Sequence, residues 1–528
     1  MSMSFGSAKT GKLDDKLISY DDALAIVRDT ACEHAIFEGD ERVIPTCMPV
    51  TEPWTDTDQL APERSKIALL DALNRRSATR VVASQSTPQH DTSAMDGYAV
   101  CSSSTLTASE ENPLLLRVVD YIAAGDSPNL KWHDGDLRPA SVCVEIMTGA
   151  RFPENSMSFL DSVVKVEDVV VGEDWSADRS VVSRHILLRK PVNSFQHRRP
   201  AGSDIKEGTV VVEEGDIIRP KHIAALASLG VVDIEVLRPS KEVINERQMN
   251  VPAKHLRIGI LSTGSEIVDS SQRCLCSKRA ELDKQRIPDS NGPYLISTLR
   301  SACPSAKVIH LGIAGDNEDA LTEKLMTAID TKDLDIIVTS GGVSRGRYDL
   351  VREVVETRLK GRIKFHGARM RPGAPVLFGT LDTQSGKRPS PGRRQITFFG
   401  APGNPLAAAV TLRFFVLPYV LSLSSCSERI QQPLRRGNDG EAPSLENNFA
   451  CYGGSTVRVS LGTCRRKPRD MTVFWLAKRS GSDNSAVDIL DDQASYKLNS
   501  IVQADCWVVI SAGISEVHPG DELLAYSL

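Results

Sequence analysis

The sequence has no CxxC pair. Its 11 cysteines are an odd number, scattered along 528 residues, and only Cys274 and Cys276 lie close together. That spacing argues against a disulfide framework and against a zinc site built on paired cysteines. It suits a reduced, cytoplasmic protein. Positive charge is not in excess either. The 63 Lys and Arg are outnumbered by 68 Asp and Glu, for a formal net charge of -5, so nucleic-acid binding is not expected. The N-terminal MSMSFGSAKTGKLDDK has no hydrophobic signal core. The longest apolar run, Phe414 to Leu423, contains Pro418 and is too short to span a bilayer, so no membrane span is expected. HExxH pairs, a Ser-His-Asp order and a nucleophile elbow are all missing, which excludes the hydrolases built on them. So are the P-loop and GxGxxG spacings.

What is present is a long soluble chain, 41% hydrophobic and 25% charged, which predicts several domains. One stretch organises it: Leu334 to Asp349, LDIIVTSGGVSRGRYD. Leu334, Ile336, Ile337 and Val338 read as a buried strand of a parallel sheet. Ser340, Gly341, Gly342, Ser344 and Gly346 then make a loop. Asp349 follows as a capping residue type, before Leu350, Val351, Val354, Val355 and Leu359 at helical spacing. Glycines let backbone N–H groups approach an anion, and a helix N-terminus adds positive potential. The residues alone fit either a phosphate-binding loop or an ordinary strand-to-helix turn.

In chain order, residues 1–17 are a small, polar tail. Ile18 to Ala31 predicts a helix opened by Ser19, with Asp21 and Asp22 in its first turn. Residues 34–58 hold three prolines and predict a loop. Glu63 to Arg80 shows helical spacing through Ile67, Leu69, Leu70 and Leu73. Asp96-Gly97 in TSAMDGYAV marks a turn before a strand. From Pro113 to Lys190 the chain is strand-rich, a small β domain in which Thr148 and Gly149 end a strand. Arg198, Arg199 and Asp204 flank Gly202, and RPKHIAALASLG is a short helix stopped by Gly230. Residues 239–256 predict a linker. Arg257 to Leu423 alternates strand and helix, an α/β domain with a mainly parallel sheet. Residues 384–394 look like a solvent loop, 427–450 are polar and irregular, and Val457 to Leu528 predicts a small barrel or sandwich.

Open α/β sheets bind ligands beyond the carboxyl ends of their strands. Those ends hold Glu266, Asp316, the glycine loop, and Gly403 and Asn404 of GAPGNP. Asp289 and Asn291 precede a helix, and Arg371, Pro372 and Pro375 form a turn after another strand. Asp96, Glu266, Asp289, Asp316 and Asp349 stand out as carboxylates. Gathered beside a phosphate loop, they suggest Mg²⁺ held by oxygen ligands. Taken singly, each reads first as a turn or cap residue, and only their grouping at one sheet edge favours the metal.

The ordered set SAMDGYAV, IMTGA, RxxGxD at Arg199 to Asp204, STGSEI, DSN, SGGVSRG and GAPGNP resembles the molybdopterin molybdenumtransferase family, of MoeA or gephyrin E-domain type. The resemblance runs from about Ile18 to Leu528. It implies insertion of molybdate into adenylylated molybdopterin with release of AMP, the last step of molybdenum cofactor formation. It also implies Mg²⁺ dependence, an elongated homodimer and an upstream adenylyltransferase as partner. The implied layout is a dimerisation domain of residues 18–95 and 195–240, a β-rich insertion at 96–194, a MogA/MoeA-like molybdopterin-binding domain at 257–426 and a β barrel at 451–528. Catalysis would fall to Asp96, Glu266, Asp289, Asp316 and Asp349, with Asp289, Asp316 and Asp349 near the metal. Substrate would meet Thr148, Arg199, Asp204, Ser340, Gly341, Gly342, Ser344, Gly346, Arg371, Pro372, Pro375, Gly403 and Asn404. Of these, Asp96, Thr148, Arg199 and Asp204 would face the cleft from a partner subunit.

The chain departs from the family pattern at four places. Arg352 and Arg371 stand where the pattern has Lys, Glu145 stands where it commonly has Arg, and extra residues lie between Pro153 and Asp161. Arg and Lys are not equivalent at oxyanion sites. Two other readings follow: a catalytically weakened cofactor-binding or scaffold protein, and the adenylyltransferase itself. The latter lacks the SAMDGYAV segment and the long flanking β domains.

Overall fold

The computed structural model describes residues 17–37, 63–126, 141–153, 159–175, 182–238, 256–272, 286–344, 349–384, 393–430, 455–460, 464–481 and 484–528. Expectations for the tail, for most of 34–58, for the linker, for the loop at 385–392, for 431–450 and for Gly346 lie outside these residues.

The α/β unit is a six-stranded sheet in the order Lys307–Ala314, Arg257–Thr263, Ile336–Ser340, Arg393–Ala401, Leu377–Gln384, Arg362–His366. The first four run parallel and the last two add antiparallel. Alternate residues of one strand explain why the run is apolar throughout. Ile336 and Val338 enter one core, while Ile337 enters a second core on the other face. Helices Asn291–Ala302 and Glu318–Lys332 follow their strands as the 3.6-residue spacing predicts.

A longer helical run follows Asn404. It starts with Pro405 at the first helical position and continues through a wide π turn, Leu412–Val416, into Leu417–Ile430. Pro418, which has no N–H to give, sits just after that π turn. Pro405–Leu423 is thus long and apolar enough to cross a membrane by length and composition, longer than the run Phe414 to Leu423 suggested. It is a core helix instead: Leu406, Val410, Phe415 and Tyr419 are buried against Phe399 and Phe378 of the sheet.

The first helix spans Tyr20–Phe37, and the Asp22 N–H donates to Ser19 Oγ at 3.0 Å, the cap expected there. Its buried face of Ala23, Val27 and Ala31 packs into the same core as Phe415 and Tyr419. Tyr20 meets Phe415 and Phe474 edge-on at 5.6 and 5.3 Å. This helix therefore packs with the α/β unit.

The helix expected over Glu63 to Arg80 does not form. The chain makes a strand, Glu63–Ala68, a 3₁₀ turn, Leu69–Ala72, and a short strand, Arg76–Ser77. Glu63–Ala68 pairs antiparallel along its length with Asp233–Arg238, placing Ile67 opposite Ile234. Leu69 and Ala72 then join Ile223, Leu226 and Val236 in a separate core. A strand followed by a tight turn reproduces helical spacing over a few apolar residues, and long-range pairing decides the outcome. The helix Pro220–Ser228 does form, and Gly230, at φ +76°, ends it.

Residues Gly97 to Leu188 build a six-stranded sheet. The C-terminal strands Thr472–Ser480, Ala486–Ile489, Ser455–Val459, Glu522–Ser527 and Cys506–Ile510 close into a barrel through pairing of the first with the last. The single strand expected at IKFHGARM is broken at Gly367, whose φ of +99° turns the chain. Arg362–His366 stays in the α/β sheet, while Ala368–Arg371 crosses to pair with the barrel at Thr472 and Val473. That switch sets Arg371 between two domains.

Candidate active site

Parallel register brings four strand ends level: Ser262 lies beside Ser340, Thr263 beside Ala314, and Ser340 beside Ala401. The loops leaving them line one cleft of about 1630 Å³. Gly341 and Gly342 have φ of +95° and +68°. A Cβ on Gly341 would lie 2.6 Å from Thr263 Oγ1, and one on Gly342 would lie 2.9 Å from Val351 Cγ2. Only glycine allows this turn to press on its neighbours. The Gly341 N–H is already committed to Ala401 O at 2.9 Å. Asn291, at the start of its helix, donates through Nδ2 to both Ser340 Oγ and Gly403 O at 2.8 Å. It thereby ties the helix to two of the loops.

The carboxylates differ in environment. Asp289 is buried; its Oδ2 accepts the Ser262 hydroxyl at 2.7 Å and its Oδ1 accepts the Gly292 N–H at 3.0 Å. Desolvation dominates there and raises its pKa. Glu266 is half-buried, and desolvation, reinforced by Asp316, pushes it up to about 7. Part of its cover is the β-rich domain: a Cβ on Gly125 would lie 2.9 Å from Glu266 Cα. Asp316 exchanges two bonds with Ser265, accepting the Ser265 N–H on Oδ2 at 2.8 Å while its own N–H donates to Ser265 Oγ at 2.9 Å. Asp349 lines the cleft but is not the helix cap expected from its type, because the cap position falls on Leu350.

Asp289, Asp316 and Asp349 share the cleft, yet among the described residues their carboxylates do not form a trio with ligand atoms within 4.8 Å. Mg²⁺ commonly takes one or two carboxylates plus substrate phosphates, so the donor types fit such a shared site. Asp289, with both oxygens engaged by Ser262 and Gly292, fits it least.

The opposite wall comes from the same chain. Asp96 Oδ1 accepts the Thr148 N–H at 2.7 Å, made possible because Gly97 pairs with Ile146 in the β-rich sheet. Two separate sequence motifs thus meet as one unit. Arg199 is largely buried, its guanidinium 4.3 Å above the Tyr496 ring, with Nη2 contacts to Ala94 O at 3.3 Å and Asn404 Oδ1 at 3.4 Å. Among the described residues no carboxylate pairs with it, and Nε is buried without a hydrogen bond. Burial lowers its pKa to about 10, which leaves it cationic at neutral pH. Asp204 lines the cleft too, but its two oxygens accept the N–H groups of Leu498 and Asn499 at 3.0 and 2.8 Å. It caps the short helix Leu498–Gln503, and burial raises it to about 6. Thr148, Asp96, Arg199 and Asp204 all line this cleft.

Ser344, Arg371, Pro372, Pro375, Gly403 and Asn404 also line this cleft. Of the departures, Arg352 donates to Glu356 Oε2 at 3.2 Å and meets His366 Nδ1 at 3.3 Å. Glu145 takes Arg184 as its cation, at 2.6 Å. The barrel wall went unnoticed in the sequence: Arg465, Arg466, Lys467, Trp475 and Tyr496 close one side of the cleft. The basic run CRRKPR was the available signal, but only closure of the barrel shows where it points.

Against that geometry, known proteins give a consistent answer. A family model described as the MoeA N-terminal region (domain I and II) matches residues 18–230. A second, the probable molybdopterin binding domain, matches residues 259–422. The molybdopterin molybdenumtransferase of Synechococcus elongatus is 26% identical over 464 residues, covering 88% of this chain and 94% of that protein. The one from Haemophilus influenzae is 28% identical over 453 residues, covering 86% and 91%. A solved molybdopterin biosynthesis MoeA protein from Pyrococcus horikoshii covers 97% of this chain at 22% identity. Its TM-score of 0.39 is too low to add to the fold assignment. The chain belongs to the molybdopterin molybdenumtransferase family of MoeA type.

Proposed function

We propose that this protein acts in molybdenum cofactor biosynthesis, transferring molybdate into adenylylated molybdopterin with release of AMP. The observation that carries the reading is the pairing, in one cleft, of a glycine loop that admits close backbone approach with a largely buried arginine, Arg199, that no carboxylate among the described residues pairs with. A buried cation without a carboxylate partner is costly unless an anion completes it. Molybdate, a pterin phosphate and an adenylate phosphate are all such anions. Ser340, Gly341, Gly342 and Ser344 would hold the phosphate region of the pterin, and Arg199 with Asn404 would orient an oxyanion. The carboxyl of Glu266, about half protonated at neutral pH, can donate a hydrogen bond to that oxyanion in its protonated form, where a carboxylate would repel it. Asp316 and Asp349 would hold Mg²⁺ together with substrate phosphates, and its chemistry there would be charge neutralisation. The protein would work as a homodimer downstream of an adenylyltransferase. Its thiols fit a reducing compartment, since no disulfide joins Cys101, Cys143, Cys303, Cys464 and Cys506.

The test is incubation of purified protein with adenylylated molybdopterin, molybdate and Mg²⁺, following AMP by chromatography. AMP release that depends on both molybdate and Mg²⁺, with product that activates an apo-molybdoenzyme, is the expected result. Tight binding of the adenylylated pterin without AMP release would support the cofactor-binding alternative and overturn the transfer assignment.

A further inference from the structure

Away from the glycine loop, one cluster of metal-binding side chains has no role in the transfer chemistry. Cys464, Glu516 and His518 come from two short strands of the barrel domain, Arg465–Arg466 and Glu516–Val517, which pair antiparallel. Arg465 lies opposite Val517, and Arg466 opposite Glu516. The Lys467 N–H donates to Ser515 O at 2.9 Å, extending the ladder in the same register. One step the other way sets Cys464 opposite His518. Side chains alternate between faces along a strand, so Cys464, Glu516 and His518 share one face. Val517, between the last two, points the other way into the barrel core. Among the described residues, this is the one group of three such side chains whose donor atoms all lie within 4.8 Å of one another.

We propose that Cys464, Glu516 and His518 form a mononuclear site for a borderline divalent metal of the Zn²⁺ class, with the fourth position open to water or an added ligand. The donors are a sulfur, an imidazole nitrogen and a carboxylate oxygen, the set that zinc takes in tetrahedral geometry. In such a site the donors sit roughly 3.4–3.6 Å apart, so closure from the observed spacing needs only rotamer changes. Cys464 and His518 are exposed, which leaves them free to make those changes.

The surroundings hold the ligands in place. The His518 N–H donates to Asp521 Oδ2 at 2.7 Å, and the Asp521 N–H returns to His518 O at 3.1 Å. That turn fixes the backbone from which the imidazole projects. Glu516 Oε1 faces Arg466 Nε at 2.8 Å, while Oε2 lies 3.7 Å from His518 Nε2. Outer partners that orient a ligating carboxylate in this way are a usual feature of metal sites. An Arg466–Glu516 ion pair would account for those two residues by itself, but not for a thiol and an imidazole facing each other beside it. The site borders the cleft without belonging to it, because Arg465, Arg466 and Lys467 line the cleft wall and Cys464 precedes them. The absence of CxxC pairs therefore excludes only zinc sites built on two cysteines.

The test uses full-length protein, chelator-treated and reduced, titrated with Co²⁺ and read by absorption. One equivalent per chain should give thiolate charge-transfer and tetrahedral d–d bands, both displaced by Zn²⁺. Cys464→Ser should abolish the charge-transfer band. His518→Gln and Glu516→Gln should each weaken Zn²⁺ binding at least about 10-fold in competition with a chromophoric chelator. Circular dichroism of each variant without metal checks that it is folded. Wild-type protein that gives no charge-transfer band would overturn the proposal. So would an equal band in Cys464→Ser, which would assign the metal to another of the chain's cysteines.

Discussion

Glu266 offers the sharpest physical test, because its environment makes a signed prediction. Half-buried under Gly125 and beside Asp316, it is raised from 4.5 to about 7, and desolvation is the main cause. A carboxyl whose folded pKa lies above its unfolded value binds more protons in the folded state. Its stabilising contribution is complete below about pH 4.5 and is lost as pH rises through 7. Moving one carboxyl over that range is worth roughly 3 kcal/mol, of which roughly 2–3 kcal/mol falls between pH 5 and 8. Glu266→Gln keeps the shape of the protonated acid and cannot ionise. The mutant should match wild type at pH 5 and exceed it at pH 8 by that amount. For an α/β unit of this size that is about 5–10 °C in Tm. Several domains need not unfold in one step. The quantity to follow is therefore the mutant-minus-wild-type difference against pH, by differential scanning calorimetry. A difference that stays constant from pH 5 to 8 would refute both the burial and its consequence for binding an anion.

Three further outcomes are expected. Asp349→Asn should leave Tm unchanged, since the helix cap position is Leu350, while lowering Mg²⁺-dependent AMP release; equal activity across a Mg²⁺ titration would remove Asp349 from the site. Arg199→Ala should raise the apparent KM for the adenylylated pterin by about 10- to 100-fold, the loss of one charged hydrogen-bonding group, and Arg199→Lys should restore only part of it. Because Asp96 and Asp316 line one cleft of one chain, mixing Asp96→Ala with Asp316→Ala subunits should restore no activity. Recovery to about a quarter of wild type in a statistical mixture of dimers would instead put Asp96 in its partner's cleft.

Much of the fold was legible because its signals are local. The strand Ile336–Ser340, its glycine turn and the helices after Ser290 and Asn317 are each decided by residues within one or two turns. Glu63 to Ser77 was misread for the converse reason, as its partner Asp233–Arg238 lies far along the chain. Gly367 was misread because a single positive φ sends one apolar run into two sheets. The site divides in the same way. Strand-end residues follow from topology alone. Asp204 looks the same in sequence whether it meets a ligand or two backbone N–H groups of a helix nearly three hundred residues away, and here it does the latter. The barrel wall, with Trp475 and Tyr496, is a product of closure and has no local signature.

The remaining question is how a cleft so rich in carboxyl groups can receive an anion. Ionised together, Glu266, Asp289 and Asp204 would repel phosphate or molybdate in a poorly solvated site. Burial eases the conflict. It raises all three, Asp204 to about 6 and Glu266 to about 7, and the bonds to Ser262, Gly292, Leu498 and Asn499 hold two of them in fixed positions. Arg199 responds oppositely, but its fall to about 10 leaves its charge intact at neutral pH. Desolvation thus acts on both signs at once, silencing part of the acidic lining while sparing the charge of Arg199. The same argument predicts that anion affinity declines as pH passes from 6 to 8, without any change in Arg199. A cleft built from fully solvated carboxylates would show no such decline over that interval, because its carboxylates would already be ionised at pH 6.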